Sequence, residues 1–170
     1  MELQRVDNWE RLFRAARDSA FHLEVRDAYA EPSESEPLRR FIDGDPPPDY
    51  DKSDWTDLIR SVTEKGVSVS RVRVVTVPHT DYQRWLLSVT GKNVAAGEDI
   101  RYVPRHLAGE VPPDDWWLFD GSRVCFNLTD SAGGPAGIGI TTDPSLAAYC
   151  RNVRQRLWQL AIPYREYVNQ

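Results

Sequence analysis

Histidine, lysine and cysteine are scarce in this 170-residue chain, at three, three and two residues, and each shortage closes off a class of function. His22 falls in a strand-like segment, His79 at a helix start and His106 in a loop, so the histidines form no metal-binding or acid–base signature. His79-Thr80-Asp81 has the makings of a base beside its orienting carboxylate, but adjacent residues at a helix start serve as caps. The chain contains no HExxH, no GxSxG and no Walker lysine motif. Cys125 and Cys150 lack metal-ligand spacing and read as buried reduced thiols. The sequence therefore implies no catalytic residue, no metal site and no cofactor.

Long apolar runs are missing too. No segment approaches the roughly 20 apolar residues of a membrane span, and the amino terminus lacks the basic-then-apolar order of a secretory signal. The expected location is the cytoplasm, with no membrane contact. Basic excess is also absent: the net charge is −5. Phosphate binding draws on concentrated Lys and Arg, so this balance argues against direct nucleic-acid binding. The cations present are mostly arginine, which pairs bidentately with carboxylates and phosphates, so a local anion site stays open.

Against these absences stands an ordinary globular composition. A hydrophobic share of 41% and a charged share of 28% fit a single domain over residues 1–170. Six tryptophans imply large side chains at the core or at an interface, including a possible homodimer through exposed tryptophans. The pattern centres on residues 97–128. There Trp116–Phe119 and Val124–Phe126 flank an Asp120-Gly121-Ser122-Arg123 turn as a hairpin, and Gly97–Arg105 mixes both charge signs with Ile100, Tyr102 and Val103 before Pro104.

Taken in order, Asn8 is placed to cap an amphipathic helix carrying Trp9, Leu12, Phe13 and Ala16. Phe21, Leu23 and Val25 alternate with His22, Glu24 and Arg26, the pattern of a half-buried strand. A short helix follows Pro37, and residues 45–49 read as a proline-rich surface connector. Ser53 or Asp54 caps a helix that Gly66 stops. Val67 to Val77 is the longest β-branched run, suited to a central strand covered on both faces, with Arg71 and Arg73 on one face and Val72 and Val74 on the other. Two arginines on one face require carboxylates or an anion. A helix from His79 to Val89 then favours a parallel crossover, with a loop expected from Gly91 to Ala96. The glycine-rich Asp130–Gly139 reads as a flexible turn, Ile138 and Ile140 as part of a last strand, and Pro144–Leu160 as a long closing helix.

The segments VRVVTVPHTDYQRWLL, NVAAGEDIRYVPR and DDWWLFDGSRVCFNL resemble an uncharacterised domain-of-unknown-function family from actinomycetes. The resemblance covers nearly the whole chain, and members of that family are often encoded near helix-turn-helix regulators. A more distant resemblance, through Asp120-Gly121-Ser122-Arg123-Val124, is to phospholipase D-like domains. It implies an α/β fold with a mixed, partly parallel sheet flanked by helices. Those enzymes require His-x-Lys, which none of the three histidines provides, so the sandwich would persist without its catalytic motif.

Two functions follow as expectations. The first is a non-catalytic regulatory or binding module acting with a protein partner such as a helix-turn-helix regulator. In it Arg73, Glu98, Arg101, Trp117 and Asp120 form a polar cluster, either a buried structural network or a pocket for a small anionic ligand. The second is a degenerate phospholipase D-like phosphodiesterase or a nucleotide-binding protein, using Arg101 and Arg105 for phosphate and His79 or Asp120 as acid or base.

Overall fold

A computed structural model describes residues 2–4, 9–45 and 50–170. Asn8, expected as a cap, and Pro46–Asp49 of the expected connector lie outside the described residues. The elements run β1 (Glu2–Gln4), α1 (Trp9–Ala15), β2 (Ser19–Glu24), α2 (Ser35–Ile42), α3 (Ser53–Thr63), β3 (Ser68–Val75), α4 (Asp81–Ala95), β4 (Asp99–Pro104), β5 (Trp116–Phe119), β6 (Arg123–Thr129), β7 (Pro135–Thr141), α5 (Pro144–Leu160), β8 (Ile162–Pro163) and α6 (Tyr164–Tyr167).

The strands form one mixed sheet in the order β1-β7-β6-β5-β2-β3-β4-β8. Strands β2, β3 and β4 are parallel, joined through helices as the strand–helix–strand pattern requires, and the remaining pairs are antiparallel. The expected α/β class with a partly parallel sheet and flanking helices holds.

Side chains alternate across this sheet, and its two faces differ in kind. One face carries Phe21, Leu23, Val72, Val74, Val103 and Leu118, which pack against Ala147, Cys150, Val153 and Leu157 of α5. That face is dry. On the other, α1 and α3 cover Ala20, Val69, Phe119 and Cys125 through Phe13, Ile59 and Val62, while α4 lies over the β3–β4 side. Between these apolar patches the same face turns polar. His22 stands opposite Arg71, and Glu24 opposite Arg73, in the β2–β3 register.

Local chemistry sets the ends of the elements. Thr80 caps α4 by accepting the Gln83 amide at 3.2 Å. Asp143 accepts the Ser145 and Leu146 amides at 2.8 and 3.0 Å, with Pro144 in the first turn of α5. The β5–β6 hairpin turns through Asp120, Gly121 and Ser122, the first two with φ of 49° and 63°, and the Ser122 amide donates to the Phe119 carbonyl at 3.0 Å.

Four readings are corrected. Strand β2 is not half-buried: Ala20 through Glu24 are all buried, because α5 covers one face and α1, α3 and the polar cluster the other. Residues 91–95 are not a loop but the last turns of α4. Gly91 lies inside that helix, with the Tyr164 hydroxyl 3.4 Å from where a Cβ would be. The glycine-rich segment is only partly a turn, since Pro135–Gly139 pair with β6. Finally, none of the six tryptophans is exposed, which removes the expected tryptophan-mediated dimer face.

Phe13 is fully buried and meets Trp55, Trp117 and Phe119 edge-on, with centroids at 5.3, 4.8 and 5.2 Å. Phe13→Ala is therefore expected to cost about 3–5 kcal/mol in urea unfolding, with the slope of the transition unchanged.

Candidate ligand-binding site

The polar part of the sheet is built by residues two apart on adjacent strands. Period-two alternation puts His22 and Glu24 of β2 on the same face as Arg71 and Arg73 of β3, and Trp117 of β5 lies beside His22. Glu24 is the centre. Its Oε1 accepts from Arg71 NH1 at 2.5 Å, and its Oε2 accepts from Arg73 Nε. Arg71 also donates through Nε to Glu98 Oε1 at 2.7 Å. Arg73 NH1 reaches Thr90 Oγ1 at 2.7 Å and the Tyr102 hydroxyl at 3.0 Å. Glu98, the residue before β4, is 1% exposed; its Oε2 accepts from Asn93 Nδ2 at 3.1 Å and Trp55 Nε1 at 3.3 Å. The result is an alternating chain of two carboxylates and two guanidinia, each charge set against the opposite one.

Burial alone pushes the Glu24 carboxyl upward, but the paired Arg71 and Arg73 outweigh it and hold the group well below the usual carboxylate range. Burial works to lower Arg71 and Arg73, but Glu24 together with Glu98 for Arg71, and with Tyr102 for Arg73, outweighs it, so they stay charged. His22 is driven well below its ordinary value, first by burial and then by Arg71, and is neutral. Its ring stacks on Trp117 at 4.2 Å and 10°. Its Nδ1 lies 3.5 Å from Glu24 Oε1, yet neither ring nitrogen makes a hydrogen bond.

This network floors a cavity of about 440 Å³ on that face of the sheet, a volume in the range of small-molecule sites. Trp9, Trp55 and Trp117 stand on one side, and Tyr29, Tyr50 and Tyr82 on another. Lys52 donates to Asn93 Oδ1 at 3.1 Å; burial, then Arg73 and Arg71, draw its ammonium down to about 8. Burial raises Glu34 above the ordinary value although Tyr82 donates to it at 2.5 Å. Burial also lifts Asp115 to about 6, even as it accepts the Val25 amide at 2.7 Å. Asn127 Oδ1, also on the lining, has no partner.

The expected site residues divide. Arg73 and Trp117 line the cavity, and Glu98 supports it from behind Arg71. Arg101 stands apart on the α5 side, held by Asp99 at 3.0 and 3.1 Å, with its guanidinium 3.9 Å over the Trp158 ring. Asp120 is a structural cap: its Oδ1 accepts the amides of Arg17, Asp18 and Ser19 at 3.1, 2.9 and 3.0 Å. Burial opposes its ionisation, but those amides prevail and lower it. The five residues thus form no single cluster, because Arg101 projects from the opposite face and Asp120 lies at the hairpin tip. Nor do the residues assigned to phosphate chemistry converge. Arg105 donates to the Val25 and Val74 carbonyls and pairs with Asp27 at 3.5 Å, while His79 contacts Thr76 and Tyr167. The residues that sequence reasoning passed over are His22 and Glu24, while Arg71 was seen to need a counter-charge but was not placed in the site. Their signal was present in the two-residue spacing of His22 with Glu24 and of Arg71 with Arg73.

Among the described residues no helix is long and apolar enough to cross a membrane, and no group of three or more His, Cys, Asp or Glu residues could hold a metal ion. No curated protein matches the chain. A solved structure with the same fold is that of TrmBL2, an archaeal chromatin protein reported to show a novel mode of DNA binding. It shares 13% identity at a TM-score of 0.50, over 89% of this chain and 47% of that one, so the chain spans about half the length of that neighbour. The expectation that net charge precludes direct nucleic-acid binding is thereby overturned, since a DNA-binding protein carries this fold. The physical reason is that total charge averages over local fields, so an acidic total does not by itself decide what one surface can bind. Residues 7–169 match the family described as Domain of unknown function (DUF6879).

Two measurements test the site's electrostatics. Glu24→Gln leaves two buried guanidinia short of a counter-charge and is expected to cost about 3–5 kcal/mol in denaturant unfolding. Asp115 behaves in the opposite sense to Glu24. Its folded-state value is raised, so its contribution is fullest below the unfolded value and is lost as pH rises through about 6. Asp115→Asn is therefore expected to melt above the wild type at pH 7.5 and close to it at pH 4.

Proposed function

We propose that this chain, which belongs to the DUF6879 family, is a non-catalytic regulatory module that binds a small molecule in the cavity above the Glu24–Arg71–Arg73 network. The observation that carries the reading is His22. A side chain 7% exposed, with both ring nitrogens unpartnered, faces a cavity walled by aromatic rings. Leaving such buried groups unsatisfied costs free energy, and a ligand whose hydrogen-bonding groups draw the ring toward the cavity would recover it. The volume suits a compound of metabolite size.

A binding role fits the chemistry better than hydrolysis does. The residues assigned to phosphodiester cleavage are committed elsewhere, and the only histidine at the cavity is neutral with no hydrogen-bonded carboxylate to orient it. The resemblance to a phospholipase D-like sandwich without its catalytic motif is consistent with this reading. Regulation through a helix-turn-helix protein rests on the family resemblance. Direct DNA binding enters from the archaeal chromatin protein, through the shared fold.

The test is a thermal-shift and tryptophan-fluorescence screen of a metabolite library on the full chain, followed by a DNA mobility shift with and without any hit. A ligand at 100 times its Kd stabilises by about 2.7 kcal/mol, which in a chain of this size is a rise of roughly 5–10 °C. His22→Phe keeps the stack on Trp117 but removes both nitrogens, and is expected to abolish the shift while the variant still melts cooperatively. A library without a single hit at millimolar concentration would refute the proposal.

A further inference from the structure

The cavity has a charge of its own, distinct from that of the network beneath it. Six carboxylates and three cationic side chains line it. Two of the cations, Arg71 and Arg73, are spent on Glu24 and Glu98. Apart from Glu24, that leaves Glu31, Glu34, Asp51, Asp54 and Asp115 facing Lys52 alone. The aromatic rings add their negative faces to the same field.

Glu34 and Asp115 are the two partly desolvated acids of this set, and neither has a salt-bridge partner among the described residues. A pair of rings lies between them: Tyr29 stands by Asp115, Tyr82 donates to Glu34, and the two rings pack 5.9 Å apart. His22 and Asn127 border the same cavity, with unpartnered acceptor atoms buried just beneath its surface. The unmet hydrogen-bonding capacity is thus chiefly acceptor capacity, set in a negative field and surrounded by π faces.

Resting on the reading of the cavity as a small-molecule site, we propose that its ligand is an organic cation, a primary amine or guanidinium on an aromatic or aliphatic body. Glu34 and Asp115 supply the negative field that holds the cationic group, and the tryptophan and tyrosine rings enclose its body. An anionic ligand would meet the same carboxylates unfavourably, because the arginines that would receive it are already neutralised.

The proposal carries a pH signature. Around Asp115 stand Glu24, Arg26 and Tyr29; around Glu34 stand Tyr82, Lys52, Glu24 and Glu31. Burial raises both acids, so both must lose a proton to bind a cation, and affinity rises as pH climbs through about 6. Lys52, drawn down to about 8, sheds its competing charge in the next step upward and extends the rise.

Isothermal titration of the full chain with phenethylamine and agmatine, alongside the neutral isostere 2-phenylethanol and the anionic 3-phenylpropanoate, tests the assignment. At pH 7.5 at least one amine is expected to bind tenfold or more tighter than both isosteres, and to weaken at least fivefold on lowering the pH to 5. Glu34→Gln and Asp115→Asn are each expected to cost the amine fivefold or more while leaving the weak binding of 2-phenylethanol unchanged; melting curves establish that both variants fold. Equal or tighter binding of the neutral or anionic compound, or a metabolite screen whose hits are all uncharged or anionic, overturns the cation assignment and leaves the small-molecule site standing. A screen with no hit of any charge overturns both.

Discussion

Everything on the polar side of the sheet depends on one carboxylate held between two guanidinia. Glu24 ends the first parallel strand, and its two oxygens divide between Arg71 and Arg73 of the next. Without it, two cations would lie buried on a face that the helices must cover, and the cost of desolvating them would fall on the fold. With it, and with Glu98 closing the chain from behind, the strands carry a neutral ionic layer where a second apolar layer would otherwise be needed. The cavity exists because this layer is polar and fully engaged: it supports the rings above it without requiring them to collapse onto it.

That arrangement is what the proposed binding role rests on. Catalysis requires a group whose protonation can change during turnover, whereas the groups on this floor are fixed: Glu24 ionised, the arginines charged, His22 neutral. The groups whose charge can vary near neutral pH, Asp115 and Lys52, stand at the walls. A rigid floor with responsive walls is suited to recognising a molecule.

Most of the fold was legible in the chain because it is written in local patterns. The valine run of β3, the capped start of α4 and the Asp-Gly turn of the β5–β6 hairpin each depend on residues within a few positions of one another. The demand of Arg71 and Arg73 for counter-charges was readable too. Which carboxylates answer them was not, because Glu24 is brought opposite Arg73 only by strand register, 49 residues away. The same limit misplaced Arg101 and Asp120, whose neighbours in sequence suggested a site while the pleat and the hairpin tip carried them off it. The end of α4 was misread because Gly91 looks like a helix stop, whereas the helix runs through it to Ala95.

The unequal faces of the sheet also set how the molecule opens. Helix α5 lies on continuous apolar contact, so lifting it exposes the main core and approaches the cost of global unfolding. The cover over the polar side meets the sheet partly through ions and rings bordering empty space, and parting it there exposes little apolar surface. Local opening is cheapest where few apolar contacts must be broken. The cavity therefore lies on the side where the cover meets the sheet partly through polar groups, and because it is open to solvent a small molecule can enter and leave without unfolding the protein that holds it.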